Sequence, residues 1–564
     1  MVNRGASKGC ITCKKRRVKC DETQPFCKAC NRVGRQCAGY GKQSVRIRFR
    51  DETTRYMNKF RTFSQPTTTI ATNREKQKSV TTCTFRHVEI SPSLLPKQQD
   101  MAVSFFLTYV TDVGRNMEST RGFLELVQPV LATESRDSAL FVAVKATSIK
   151  LWALLRPSDV ADSLPIKLYN QALEKLQCAV NSPKEQGKGA TVIAALMLQQ
   201  HDTLAAIFGH NKSNTTHRNG ALALLTQDSM RRFRYHGHLL GNHFHCKISF
   251  CVRHKVPLTQ DELEWLYSEV IPALPNNCSY TLDIIGISVS RLQSVMADSE
   301  SSSESIALKA LQELPSIIYD VEAQLQAWLD IVPDIWYPQR LSATDSIFPS
   351  VTTYDGLVDI YPSIQITNIW NVWRMYCLTV EQAKTKLFSS LNCEITDTSR
   401  KESHEIQDLL EDICRSMPFY LGNCSQPISF ADINDQQLLF PCYHDLPSTD
   451  EAFITYKKSQ HYVSRTDHNR HNLIHGPIAA LSVLSHLVGL FEDPCLQSLS
   501  SEGGLQRQKQ WISEQFRRSL YLMRFIPHNC LDAGASFKHD NNQRPMHVGL
   551  VNTIRQALST VNLL

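Results

Sequence analysis

At 564 residues the chain is too long for one compact core, and with 42% hydrophobic and 20% charged residues most of it can still bury one. The net charge of +7 is uneven: residues 1–99 hold 22 Lys/Arg against 6 Asp/Glu (+16), and residues 100–564 hold 39 against 48 (−9). A basic end on an acidic body predicts that the end meets a polyanion while the body does something else. No apolar h-region follows Arg4 and Lys8, which excludes a signal peptide. The most apolar stretch, "GPIAALSVLSHLVGLF" at 476–491, is broken by Ser482, Ser485 and His486 and falls short of a bilayer span. A soluble, intracellular protein with no membrane partner is expected.

In chain order, "GASKG" at 5–9 satisfies G-x-S-x-G, but nothing there supplies the strand and helix of a nucleophile elbow, so Ser7 is a chance match. Next comes "CITCKKRRVKCDETQPFCKACNRVGRQC" at 10–37. Six of the eighteen cysteines fall here; the other twelve are scattered with no further C-x2-C pair, which favours a metal site over a disulfide framework. The stretch is an internal repeat: Cys10, Cys13 and Cys20 have the spacing of Cys27, Cys30 and Cys37. Zinc prefers four ligands, and six sulfurs fill the eight places of two Zn²⁺ if two of them bridge. Each half supplying its own three cysteines and sharing its first makes Cys10 and Cys27 the bridges. So small a segment cannot fold on a hydrophobic core, so metal binding supplies its folding energy.

After Cys13, residues 14–19 are expected to form a short helix with five of six positions basic. A zinc knuckle that merely staples the N-terminus would not need such a run; these charges repel unless phosphates neutralise them.

The stretch resembles the zinc binuclear-cluster DNA-binding domain of fungal transcription factors: every cysteine spacing falls within that pattern, Pro25 takes the loop position between halves, and "KKRRVKC" matches its basic signature. The resemblance implies double-stranded DNA as partner, two zinc ions as cofactor, and a helix aimed at a CGG triplet. Arg16 and Arg17 fall at the base-reading positions, and arginine suits the O6 and N7 of guanine through a bidentate fork. Lys14, Lys15 and Lys19, with Lys28, Arg32 and Arg35 of the second half, are assigned to phosphates. Where members carry Lys as base reader, this chain has Arg17.

Residues 42–98 read as a basic, flexible linker between the cluster domain (1–41) and the rest. "VRIRFR" at 45–50 suits a short strand, a phosphate contact or part of an import signal, and 42–98 holds no three-heptad a/d run for a coiled coil. Oligomeric state is left open.

From 99 to 564 the pattern is helical, and an all-α domain is expected. "PIKLYNQALEKLQCAV" at 165–180 puts Tyr169, Ala172, Leu173, Leu176, Ala179 and Val180 on one stripe. "PSIIYDVEAQLQAWLDIVP" at 315–333 does the same with Ile318, Val321, Leu325 and Trp328, a proline marking each end. "ALFVAVKATSIKLWALL" at 139–155 is apolar nearly all round and belongs inside. The region, with "HRNGALALL" at 217–225, is similar to the regulatory domain that follows the cluster in many fungal factors; this implies contacts with the transcription machinery.

The run "RYHGHLLGNHFHCKISFCVRH" offers His236, His238, His243, His245, Cys246, Cys251 and His254, but its spacings match no compact zinc pattern, and a polar helix end or loop is expected. No phosphate-binding loop, dinucleotide fingerprint or H-E-x-x-H occurs. The expected protein is not an enzyme but a nuclear, sequence-specific transcription factor for RNA polymerase II genes, an activator by family habit. The alternative is an intracellular enzyme or ligand-binding protein with a zinc-stapled docking module.

Overall fold

The computed structural model describes residues 9–23, 25–39, 97–112, 116–155, 163–209, 215–342, 350–390, 397–429, 432, 435–491 and 503–524. The linker expected over 42–98, apart from its last two residues, and "VRIRFR" within it lie outside these, as does Ser7. The chain divides into two units, Met1–Glu89 and Ile90–Leu564.

In the first unit the repeat seen in the cysteines is a repeat of backbone structure, with a period of 17 residues. Helix α1 (Ile11–Arg16) and helix α2 (Lys28–Asn31) are each capped by the first cysteine of their half, Cys10 and Cys27. Both helices are closed by one pattern: Arg17 N–H donates to Lys14 O and Val18 N–H to Cys13 O, as Gly34 N–H does to Asn31 O and Arg35 N–H to Cys30 O. Even the left-handed positions recur, Arg17 (φ 54°) matching Gly34 (φ 63°) and Glu22 (φ 58°) matching Gly39 (φ 70°). The second half meets this backbone demand with glycines, which adopt it freely; the first half holds an arginine and a glutamate there. The helix expected over 14–19 is therefore displaced: it starts at Ile11 and stops at Arg16. The cause is the need to reverse the chain within four residues so that Cys20 returns to Cys10.

Among its described residues the second unit is helical apart from one antiparallel pair, β1 (Gln339–Ser342) with β2 (Leu357–Ile360), in register Gln339 to Ile360. Its principal helices are α3 (Gln98–Tyr109), α4 (Ala139–Leu155), α5 (Ser163–Asn181), α6 (Gly189–Gly209), α7 (Thr216–Leu225), α8 (His236–His254), α9 (Cys278–Asp298), α10 (Glu304–Leu329), α11 (Ile364–Ser390), α12 (Asp397–Leu421), α13 (Arg465–Leu490) and α14 (Gly503–Leu522). One continuous core runs through them. At its centre α11, buried on nearly every side over its first five turns, packs against α9, α10, α12 and α13. Helix α4 is buried as expected and packs on α3, α5 and α6.

Two expected stripes are adjusted. In α5, Ala172, Leu176 and Ala179 are buried and Tyr169 and Leu173 half-buried, but Val180 is exposed; Leu168 completes the stripe one turn earlier. In α10, Ile318, Val321, Leu325 and Trp328 are buried, yet Pro315 lies inside the helix rather than at its start. The preceding turns carry Ala310 and Leu314 into the core against α9, and that packing outweighs the ~3 kcal/mol that an interior proline costs. At the crossing of α12 and α13, Gly476 lets the backbones touch: a Cβ there would stand 1.9 Å from the Tyr420 carbonyl oxygen. Asn472, one turn earlier, donates Nδ2 to the Phe419 carbonyl at 2.6 Å, satisfying an acceptor at the end of α12. Among the described residues no helix is long and apolar enough to cross a membrane.

Candidate metal centre and nucleic-acid interface

Among its described residues the first unit has no apolar core of the ordinary kind. Its buried side chains among the described residues are Cys10, Cys13, Cys27, Cys30 and Cys37, with Cys20 and Ala29 packed against them, while Phe26 and Val33 face solvent. Local hydrogen bonds aim the sulfurs inward. Cys10 Sγ accepts from Cys13 N–H and Cys27 Sγ from Cys30 N–H, both at 3.3 Å. Cys10 N–H donates to Cys20 Sγ at 3.4 Å and Cys27 N–H to Cys37 Sγ at 3.5 Å, again 17 residues apart.

Across the halves, Cys10 and Cys27 sulfurs lie 3.6 Å apart, Cys13 and Cys27 3.7 Å, and Cys13 and Cys30 3.7 Å. Two four-sulfur groups result, Cys10, Cys13, Cys20, Cys27 and Cys10, Cys27, Cys30, Cys37, each with its sulfurs within 4.8 Å of one another. Cys10 and Cys27 belong to both. The donor set thus fits two tetrahedral, thiolate-preferring cations that share two ligands. Without a cation, burial among other sulfurs pushes the Cys13 thiol up to about 12 and raises Cys27 further, while the Cys27 N–H lowers Cys37. Such a nest opposes ionised thiols until a cation is present to compensate them.

The basic side chains surround this nest on its outside. Lys14, Lys15 and Arg16 occupy the last turn of α1, where the helix dipole favours cations, and Arg17 is the left-handed residue that caps it. Lys19 lies on the extended return to Cys20, Lys28 opens α2, Arg32 caps it, and Arg35 follows the Gly34 turn. All eight are exposed.

Two residues of this unit escaped the sequence reading. Asp21 accepts from the N–H groups of Lys28 and Ala29, both at 3.0 Å, and from the Thr23 hydroxyl, which holds its carboxyl far below the usual range. It anchors the start of α2 to the first half. Thr12 accepts from Ala38 N–H at 3.0 Å and donates to Gln36 O at 3.3 Å, tying the last strand of chain to α1. An acidic residue directly after Cys20 was the available signal for the first; nothing in the spacing marked the second.

The histidine-rich run is not a loop or helix end but the whole of α8. Its histidines serve different neighbours: His236 pairs with Leu225 O at 3.1 Å, His243 stands edge-on to Trp265, and His245 Nδ1 meets Asp283 at 2.8 Å. Among the described residues, the groups able to hold a metal are the two cysteine sets, and none draws on 236–254.

Comparison with known proteins places the similarity on the same segment. The fungal Zn(2)-Cys(6) binuclear cluster domain matches residues 8–46. Transcriptional regulatory protein moc3 of Schizosaccharomyces pombe is 44% identical over 46 residues, 8% of this chain and 9% of that protein. The aspercryptin biosynthesis cluster-specific transcription regulator atnN of Emericella nidulans is 62% identical over 32 residues, 6% of this chain and 5% of that protein. White-opaque regulator 2 of Candida albicans is 48% identical over 40 residues, 7% and 9% of the two chains. Each match therefore spans under a tenth of the relative's length. No solved structure matches the chain.

Proposed function

Residues 8–46 are a fungal Zn(2)-Cys(6) binuclear cluster domain, a domain that binds two zinc ions, and from that premise we propose that this protein is a sequence-specific DNA-binding regulator of transcription. The observation that carries the reading is a metal nest with no apolar core among the described residues, ringed by eight exposed cations, at the basic end of a chain whose remainder is acidic. Cys10 and Cys27 bridge the two zincs, and their membership of both four-sulfur groups supports this. Cys13 and Cys20 complete one site, Cys30 and Cys37 the other.

Arg16 and Arg17 read bases of a CGG-type triplet. Lys14, Lys15, Lys19, Lys28, Arg32 and Arg35 hold phosphates and set the register. A bulky residue kept in a left-handed conformation where the sister half has glycine supports a task for the Arg17 side chain. The domains run 1–41, 42–98 and 99–564. The helical body regulates activity and meets the transcription machinery; the chain acts in the nucleus on RNA polymerase II genes, as an activator, and is not an enzyme. Two of the relatives, moc3 and atnN, are named as regulators of transcription, which supports the regulatory part.

The salt dependence of binding tests the phosphate assignments. For the zinc-loaded full chain on a mixed-sequence duplex, six phosphate contacts give log K against log salt a slope of about −5, and replacing Lys14, Lys15 and Lys19 by Gln makes it shallower, about −3. A slope near zero in the parent protein would sink the assignment.

A further inference from the structure

The two four-sulfur groups come from one repeat, yet their backbones are not equally relaxed. The segment that carries Cys20 back to the nest has a left-handed residue on each side of it, Arg17 at φ 54° and Glu22 at φ 58°. The matching segment around Cys37 has Gly34 at φ 63° and Gly39 at φ 70°. A Cβ at either glycine would meet nothing within 4 Å, so both serve the backbone angle and not a lack of space. The two halves make the same turns, and only the second makes them without steric cost.

That cost falls on one metal site. Cys20 belongs to the group Cys10, Cys13, Cys20, Cys27, and Cys37 to the group Cys10, Cys27, Cys30, Cys37. Glu22 N–H donates to Cys20 Sγ at 3.4 Å, so a strained residue is itself part of what holds that sulfur in place. Gly39 N–H does the same for Cys37 from an unstrained position. Exposure adds to the difference: Cys37 is 8% exposed, whereas Cys20 is half-buried and within reach of water or a competing ligand.

Charge acts the other way. The first half carries Lys14, Lys15, Arg16, Arg17 and Lys19 against Lys28, Arg32 and Arg35 in the second, which favours the thiolates of the first. All eight are exposed and screened by solvent and salt, so the backbone difference decides.

We propose that the two zinc sites are unequal: the site completed by Cys13 and Cys20 is the exchangeable one, its affinity set by the left-handed backbone at Arg17 and Glu22, and the site completed by Cys30 and Cys37 keeps its ion. The inference rests on the two-zinc reading of residues 8–46. Helix α1 belongs to the exchangeable half, so the proposed base readers Arg16 and Arg17 lose their support while one ion is still bound. Zinc supply then governs DNA recognition through a single site.

The test is stepwise removal of zinc from the loaded full chain with EDTA, with bound ions counted by native mass spectrometry and protection read by hydrogen exchange. A one-zinc species is expected to accumulate in which residues 14–22 have lost protection and residues 31–39 have kept it. Glu22→Gly relieves strain without touching a ligand side chain or a proposed DNA contact. It is expected to need about threefold to tenfold more free chelator to lose the first ion. Gly39→Ala is the mirror change and is expected to weaken the second site by a similar factor, narrowing the gap between the two steps. Loss of both ions in one step, earlier opening of 31–39, or an unchanged first step in Glu22→Gly overturns the proposal. A chain that takes up fewer than two ions when fully loaded overturns the two-zinc reading as well.

Discussion

Removing zinc from this protein is expected to unfold its N-terminal unit and leave the helical body intact. Among its described residues the buried set of that unit consists of cysteines and one half-buried alanine, which leaves little hydrophobic stabilisation once the cation is gone. Structural zinc contributes ~10–16 kcal/mol in comparably small folds, more than the local hydrogen bonds of two short helices can replace. The body has its own continuous core. Hydrogen exchange reads both parts at once: a strong chelator should strip protection from amides of residues 10–39 while those of α11 keep theirs. Protection surviving in 10–39 would show that something other than metal holds the unit together.

The two shared sulfurs sharpen the expectation. Cys27→Ser damages both four-sulfur groups and should leave almost no bound zinc, whereas Cys20→Ser damages one group and should retain about one ion. Acid acts in the same direction as chelation. Thiols such as Cys13 and Cys27, whose proton affinity is raised in the metal-free nest, must release protons to bind zinc. Affinity therefore falls as the pH falls.

Replacing Arg17 by glycine is expected to move stability and recognition in opposite directions. Arg17 sits at φ 54°, the conformation that Gly34 occupies 17 residues later. A non-glycine residue there costs roughly 1–2 kcal/mol, and part of the relief is given back through the freer unfolded chain. The zinc-loaded unit should thus be as stable as before or more stable by up to about 1 kcal/mol. Its preference for the selected site over a scrambled one should nevertheless drop by about 1–3 kcal/mol, roughly 5- to 150-fold, if Arg17 makes the proposed bidentate contact to guanine. Arg17→Ala removes the same contact but keeps the strain, so the two variants separate backbone from side chain. Undiminished preference in Arg17→Gly would reduce the residue to a cap.

Much of this architecture could be read from residues alone, because the signals were local. The six-cysteine repeat implied two pseudo-equivalent halves, and the 17-residue period recurs in caps, turns and sulfur contacts. The stripes of α4, α5 and α10 followed from helical spacing. What escaped depended on distant partners. The end of α1 at Arg16 is set by the return of Cys20, which spacing does not express. Pro315 lies within α10 because the turns before it still bury Ala310 and Leu314, and in α5 Leu168 is buried while Val180 is exposed. The histidines of α8 looked like a ligand cluster in the sequence, but on a helix they diverge to Leu225, Trp265 and Asp283. The interruption at Ser482 was visible as a break in a hydrophobic run, and its partner, the Arg253 guanidinium of α8, emerged only in the fold.

The claim that the metal nest exists to present base-reading arginines to DNA is tested most directly by selecting binding sites from a randomised duplex pool with the full chain, with and without zinc. The account predicts enrichment of CGG-type triplets that appears with zinc, vanishes on chelation, and weakens in Arg17→Gly. Zinc uptake without enrichment of any sequence would contradict it, leaving the cluster as a staple and moving the protein's function into the helical body.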